Sequence, residues 1–229
     1  MRVGIITYAA NHLKTEQVAV GLMHHGYSDI SFFALPFKQR PARKIIFEHR
    51  PDMTIDGHSS QVAQVVGATY HEVESAHEIA PYAADNLLIA GADLLPPEFV
   101  NATLGRVLNS HPGKISLVRG LDASKWANLE QQPVKNNLHI IDADTDAVEV
   151  VALCRTPLFP SDSLEKFAAR HPEIEIDIMI DFEGYLNDRQ VESGEAIEPG
   201  VARMRMKAEQ QKLLHSAFED YKKTNALAA

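Results

Sequence analysis

The sequence predicts an α/β fold, a mostly parallel twisted sheet flanked by helices, and three stretches near its start carry that expectation. Arg2-Val-Gly-Ile-Ile-Thr-Tyr8 is short, apolar and rich in β-branched residues, as a buried strand is. Lys14 to His25 places Val18, Val20, Leu22 and Met23 with partial helical periodicity, and Gly26 follows as a C-cap. Asp29-Ile-Ser-Phe-Phe-Ala-Leu35 is strand-like again. Strand, helix and strand of these lengths form a βαβ unit, and such a unit implies parallel strands.

Length and composition bound the rest. The chain has 229 residues, 45% of them hydrophobic and 23% charged, which suits one large domain with an appendage. Residues 1–185 are expected to form that domain, and residues 186–229 a short C-terminal helical extension. No apolar run reaches the roughly 18 residues a membrane helix needs. Met1-Arg-Val-Gly-Ile-Ile-Thr-Tyr8 reads as a first strand rather than a secretory signal. One cysteine, Cys154, excludes an internal disulfide and a cysteine-built metal site. The expected compartment is the cytoplasm, and no metal is expected. A net charge of −9 does not suit a chain that must neutralise phosphates along nucleic acid, so the expected partners are small molecules.

The first turn excludes one α/β class. Tyr8-Ala-Ala-Asn-His12 contains no glycine, so the dinucleotide-binding fingerprint is absent. Next comes the main basic concentration of an acidic chain: Lys38, Arg40, Arg43, Lys44, His49 and Arg50. It is either a solvated face or a patch for an anionic substrate such as a diphosphate, where arginine's forked donors suit phosphate.

Further elements follow in order. Ser59–Val66 reads as a short helix closed by Gly67, and Ala84–Gly91 as a buried strand. Leu94-Leu-Pro-Pro-Glu-Phe-Val100 starts a helix, with proline in the first turn where its missing donor costs little. Ala147–Leu153 alternates as a strand running back along the sheet, and Thr156–Asp162 is a loop. Ser161 or Ser163 caps the next helix. Glu173–Asp181 alternates with period two and alone reads as a strand, but it is assigned to a helix resuming after a break at Pro172. Residues 185–200 read as a connection. Val201–Leu227 is rich in helix formers and reads as one amphipathic helix, and Met204, Leu213, Leu214, Phe218 and Tyr221 offer a homodimer face.

The chemistry concentrates in residues 105–146. Val107 and Leu108 belong to a buried strand, and Pro112-Gly113 forces a turn after it. Strand residues two apart share a side, so Asn109 and His111 project together at the strand's exit, where open α/β sheets bind ligands. Asp146 is the candidate carboxylate to orient the imidazole. An amide, an imidazole and a carboxylate suit acyl transfer to an amine. The amide N–H donates to a developing oxyanion, the imidazole takes the amine's proton, and the carboxylate stabilises the imidazolium. No serine lies in a nucleophile elbow, and Cys154 sits in an apolar strand.

Asn109-Ser-His111-Pro112, then Arg119-Gly120, then His139 seven residues before Asp146 resemble the family of N10-formyltetrahydrofolate-dependent formyltransferases, whose signature is Asn-x-His-Pro followed by His-x(6)-Asp. Leu87-Leu-Ile-Ala-Gly-Ala-Asp-Leu-Leu-Pro96 resembles the strand and pterin-contacting loop of that family, and the likeness covers roughly residues 1–185. The resemblance implies a Rossmann-like formyltransferase fold and N10-formyltetrahydrofolate as formyl donor. It implies catalytic roles for Asn109, His111 and Asp146, and cofactor contacts at Ala92, Leu94, Leu95, Ile141 and Asp142. His139 has either a structural or a direct role. Two departures touch the folate loop: Gly113-Lys-Ile-Ser116 replaces the family's usual Ser-Leu-Leu-Pro, and Asp146-Ala-Val148 replaces its Asp-x-Gly.

Within the family, the tRNA branch carries a β-barrel tail, and the tail here looks helical. The purine branch holds the ribonucleotide phosphate on a glycine- and serine-rich first loop, which Tyr8–His12 does not supply. The resemblance therefore points to the sugar N-formyltransferase branch, acting on an amine of a nucleotide-linked amino sugar, with Arg43, His49, Arg50 and Arg119 as substrate contacts. A glycinamide ribonucleotide-type enzyme and a non-catalytic folate-fold binding module are the alternatives.

Overall fold

The structure is a computed structural model, and it describes residues 1–38, 44–49, 57–141, 149–188 and 200–227. The elements in chain order are β1 (Val3–Tyr8), α1 (Leu13–His24), β2 (Ile30–Leu35), α2 (Ser59–Val65), β3 (Thr69–Glu72), β4 (Asn86–Ile89), α3 (Pro97–Ala102) and β5 (Arg106–His111). They continue with β6 (Arg119–Gly120), α4 (Ala123–Leu129), β7 (Lys135–Ile140), β8 (Glu149–Arg155), α5 (Leu164–Ile180), α6 (Phe182–Asp188), β9 (Ala202–Arg203), α7 (Ala208–Gln211) and α8 (Leu214–Asn225).

Seven strands form one sheet in the order β3-β2-β1-β4-β5-β7-β8. From β3 to β5 every pairing is parallel, and β7 runs antiparallel to both β5 and β8. Strand order reverses between β1 and β4, so the loops after these strands part there and leave a crevice at their C-terminal ends. β3 was not anticipated. Tyr70 and His71 at its centre are only half-buried, so it lacks the apolar signature that marks β1 and β2.

The central strands bury both faces. Ile5, Phe32, Leu88, Leu108 and Leu138 pack with Val18 and Leu22 of α1 and Ile178 and Met179 of α5 on one side. Ile6, Phe33, Leu87 and Val107 pack with Phe99 of α3 on the other. A third cluster joins Ala123 and Ala127 of α4, Phe167 of α5, and Leu214, Phe218 and Tyr221 of α8.

Three expectations about the second half are corrected. Helix α5 runs unbroken through Pro172, capped by Ser163, whose oxygen accepts from Lys166 N at 3.3 Å. The alternation that mimics a strand arises because Ile174, Ile176, Ile178 and Ile180 all serve the broad face of α5 against the first cluster. Glu175, which a strand would turn to solvent with Glu173 and Asp177, is instead buried against Lys14. The connection assigned to 185–200 begins later, because α6 continues to Asp188. The single helix assigned to 201–227 is a short strand β9 followed by α7 and α8. Of the five residues expected to offer a dimer face, Leu214, Phe218 and Tyr221 are each 1% exposed within the chain, and Met204 and Leu213 lie outward.

Candidate active site

The crevice at the strand ends is a cleft of about 840 Å³, walled by Tyr8 to His12 after β1, Ile89 to Asp93 after β4, Asn109 and Pro112 of the β5 exit, and Gly120 to Ala123. Gly91 is where the first two walls meet. A Cβ there would lie 2.9 Å from both the His12 and Tyr8 rings, so only glycine lets the two loops close on each other. His12 is tethered from below: its Nδ1 and Thr15 Oγ1 are 2.9 Å apart, and Thr15 Oγ1 also meets Thr7 Oγ1 at 2.5 Å. Tyr8 stands edge-on to Phe37, with ring centroids 5.3 Å apart, and donates to Asp93 Oδ1 at 3.4 Å.

The antiparallel register of β5 and β7 sets Asn109 opposite His139 and His111 opposite Asn137. Directly opposed residues share a face, so the four polar side chains form one block on the sheet. Asn109 and His111 are half-buried at the strand exit, while Asn137 and His139 are 2% and 5% exposed. A bulge at the block's edge shifts the partner of β7 from Ala152 to Val150 between Leu138 and His139, locally increasing the strand's twist. The His139 Nδ1 lies 3.1 Å from Asn137 Oδ1, an atom that only accepts, so Nδ1 carries the hydrogen and donates. Burial, then the proximity of His111 and Lys14, pushes the His139 imidazole down to about 3, against a hydrogen bond to the Asn137 backbone that favours its charged form. His139 is therefore neutral at pH 7.

Other sequence-selected residues are distributed unevenly. Ala92 lines the cleft, and Ala92, Leu95 and Ile141 come together on the rim of the α3-side cluster. Ile141 N donates to Val107 O at 2.8 Å, which fixes it beside β5. Leu94 is fully exposed. His49 lines the cleft. Arg119 is not among the residues that line the cleft; its Nε donates to Gly200 O at 2.7 Å, which ties it to the C-terminal segment. Asp142, Asp146, Arg43 and Arg50 lie outside the described residues.

Sequence reading overlooked Tyr8, Asn11, His12, Asp93, Lys14 and Arg205, all of which line the cleft. The strand-exit rule that selected Asn109 and His111 would have found Tyr8 to His12 had it been applied to β1. Lys14 and Glu175 form a buried ion pair at 2.9 Å on the cleft wall, far apart in sequence and visible only in the fold.

No family model matches the chain. Among curated proteins, phosphoribosylglycinamide formyltransferase of Escherichia coli (strain K12) is 32% identical over 103 residues, which covers 44% of this chain and 48% of that protein. The Haemophilus influenzae enzyme of the same name is matched over 46% of its length, so the chain spans about half the length of the curated relatives it matches. Among solved structures, a sugar N-formyltransferase from a Shewanella species superposes with a TM-score of 0.58 at 18% identity, covering 89% of this chain and 76% of that one.

The fold is the formyltransferase fold.

A second structure with the formyltransferase fold, from Anoxybacillus kamchatkensis, superposes with a TM-score of 0.52 at 14% identity, covering 84% of this chain and 94% of that one. That protein was solved in complex with UDP-4,6-dideoxy-4-formamido-L-AltNAc and tetrahydrofolate. Among the described residues no three His, Cys, Asp or Glu side chains gather to hold a metal, and no helix is long and apolar enough to cross a membrane.

Proposed function

We propose that this chain transfers a formyl group from N10-formyltetrahydrofolate to a primary amine, and that the acceptor is a nucleotide-linked amino sugar. The observation that carries the reading is the shared face of Asn109 and His111 at the exit of β5, backed by Asn137 and a neutral His139 and opening beside the cleft. The fold similarity to sugar N-formyltransferases and the partial sequence match to glycinamide ribonucleotide formyltransferases support the class of chemistry.

The residues suit the donor. Ala92, Leu95 and Ile141 give an apolar ledge beside the cleft, and fully exposed Leu94 stands on the loop between the first two. These four, with Asp142, would hold the pterin. N10-formyltetrahydrofolate supplies an activated formyl group, so the chain need provide no covalent nucleophile. Asn109 Nδ2–H donates to the formyl oxygen as negative charge gathers there. His111 removes the proton that the attacking amine must lose and returns it to the departing donor nitrogen as the formyl carbon–N10 bond breaks. Asp146 holds the imidazole in its working orientation and stabilises its charged form. His139, held neutral, sets no second cation against His111.

The purine-type acceptor is the second reading, favoured by the names of the curated relatives. Against it, the β1 exit lines its part of the cleft with Tyr8, Ala10, Asn11 and His12 and contains no glycine. A turnover screen with N10-formyltetrahydrofolate against UDP- and dTDP-linked amino sugars, with glycinamide ribonucleotide as comparison, separates the two. Turnover on a nucleotide sugar is expected. Asn109→Ala should then lower kcat by about 10²–10³-fold, the usual cost of one oxyanion donor. His111→Ala should lower it by about 10²–10⁴-fold, as for lost general-base help. Near wild-type turnover in either variant overturns its role, and no turnover on any acceptor overturns the function.

A further inference from the structure

Residues 200–206 reach the cleft at Arg205 and are fastened at almost every other position. Gly200 N donates to Ile115 O at 2.8 Å, and Gly200 O accepts from Arg119 Nε. β9 pairs in parallel with β6, and Leu121 N donates to Arg203 O at 2.9 Å. Gly120 makes that pairing possible: its φ is +94°, and a Cβ there would lie 2.3 Å from Arg203 O. The Arg203 guanidinium sits over the Trp126 ring at 5.4 Å and pairs with Glu130. Trp126 Nε1 donates to Met204 O at 2.8 Å, and Met206 N donates to Asp122 Oδ2 at 3.0 Å. Met206 itself is buried in the α4–α8 cluster.

Arg205 lies between these anchors, and among residues 200–206 it is the one that lines the cleft. Lys38 and exposed Phe37 line the cleft as well, and Phe37 stands edge-on to Tyr8. Four acidic residues share this space: Glu175 pairs with Lys14, Asp122 accepts from Met206 N, Asp93 accepts from the Tyr8 hydroxyl, and Glu48 lies 3.8 Å from His49 Nδ1. In a chain of net charge −9, an arginine delivered to a cleft by so many backbone fastenings is costly to place by accident.

We propose that residues 200–206 form the acceptor-recognition wall of the cleft, that Arg205 binds the phosphates of a nucleoside diphosphate, and that Phe37 with Tyr8 meets its base. A guanidinium suits phosphate through paired, forked donors, and an aromatic face suits a planar base. The proposal rests on the formyl-transfer reading only in calling this ligand the acceptor. Arg119, Gly120, Asp122 and Trp126 are positioning residues that aim Arg205.

The test is calorimetric titration of the full chain with UDP, ribose 5-phosphate and inorganic pyrophosphate, with tetrahydrofolate titrated in parallel. The wild type should bind UDP more tightly than ribose 5-phosphate. Arg205→Ala should weaken UDP binding at least tenfold, with Arg205→Lys recovering part of the loss and tetrahydrofolate binding unchanged. Gly120→Ala, which pushes the wall off β6, should also weaken UDP binding while the melting transition stays cooperative. An unchanged UDP Kd in Arg205→Ala, an equal loss for tetrahydrofolate, or no UDP binding by the wild type overturns the proposal. Ribose 5-phosphate bound as tightly as UDP overturns the diphosphate assignment. UDP binding through Arg205 without formyl transfer to any acceptor leaves this site standing and overturns the formyl-transfer reading instead.

Discussion

His139 shows how one side chain is paid for by the fold that surrounds it. In an unfolded chain an imidazole begins to take up a proton as the pH falls through about 6.5, whereas burial, with His111 and Lys14 nearby, delays this in the folded chain to about 3. Between those values the unfolded state binds more protons, so stability falls as the pH falls, by at most about 1.4 kcal/mol per pH unit. Above pH 6.5 both states are neutral and the contribution is fully present. His139→Gln removes the titration. In urea unfolding at pH 7, 5.5 and 4, the wild type should lose more stability than the variant over this range. Parallel losses would show that His139 is not held neutral by its surroundings. The sequence marked His139 through its spacing to Asp146, but its neutrality depends on what lies across the sheet. Asn137 and Asn109 reach it only through strand register, which a linear pattern does not encode.

At the scale of elements, α1 and α5 are joined by the Lys14–Glu175 pair at 2.9 Å, with both residues under 10% exposed. Two charges taken out of water roughly offset one another, but either one left alone does not. Glu175→Gln should therefore cost about 3–5 kcal/mol, while Lys14→Met with Glu175→Leu should return close to wild type. Denaturant midpoints of the single and double variants decide it, and a cost below about 1 kcal/mol for Glu175→Gln would mean that water reaches the pair. Both helices were legible in the sequence, α1 from Val18 and Leu22 and α5 from the residues after Ser163. Their contact was not, because Glu175 lies in a stretch whose alternation hides its inward direction. The same limit explains the tail. Its composition favoured helix throughout, yet residues 200–206 are extended because β6, Trp126 and Asp122 offer partners that composition cannot reveal.

For the whole molecule, the βαβ start and the Asn109–His111 exit were readable because each is local: a buried strand shows in its own residues, and a strand's end shows in the next turn. The cleft was only half readable, since Tyr8, Gly91, Asn109 and Arg205 converge through strand order and the C-terminal wall. That convergence also bears on the expected division at residue 185, which falls within α6. Leu214, Phe218 and Tyr221 of α8 share a cluster with Phe167 of α5 and Ala127 of α4, and the Tyr221 hydroxyl accepts from Val134 N at 3.0 Å. Burying a large apolar side chain is worth about 1.5–3 kcal/mol, so these three alone approach the 5–15 kcal/mol net stability of a typical domain. The tail and the sheet should therefore unfold together. Trp126 is the only tryptophan and donates to Met204 O, so its fluorescence reports detachment of the C-terminal wall, while far-UV circular dichroism reports the sheet and helices. The two denaturation curves should coincide, with one midpoint and one slope. A fluorescence transition that comes first, at lower denaturant, would instead make residues 186–229 a separately folding unit resting on a core that stands without it.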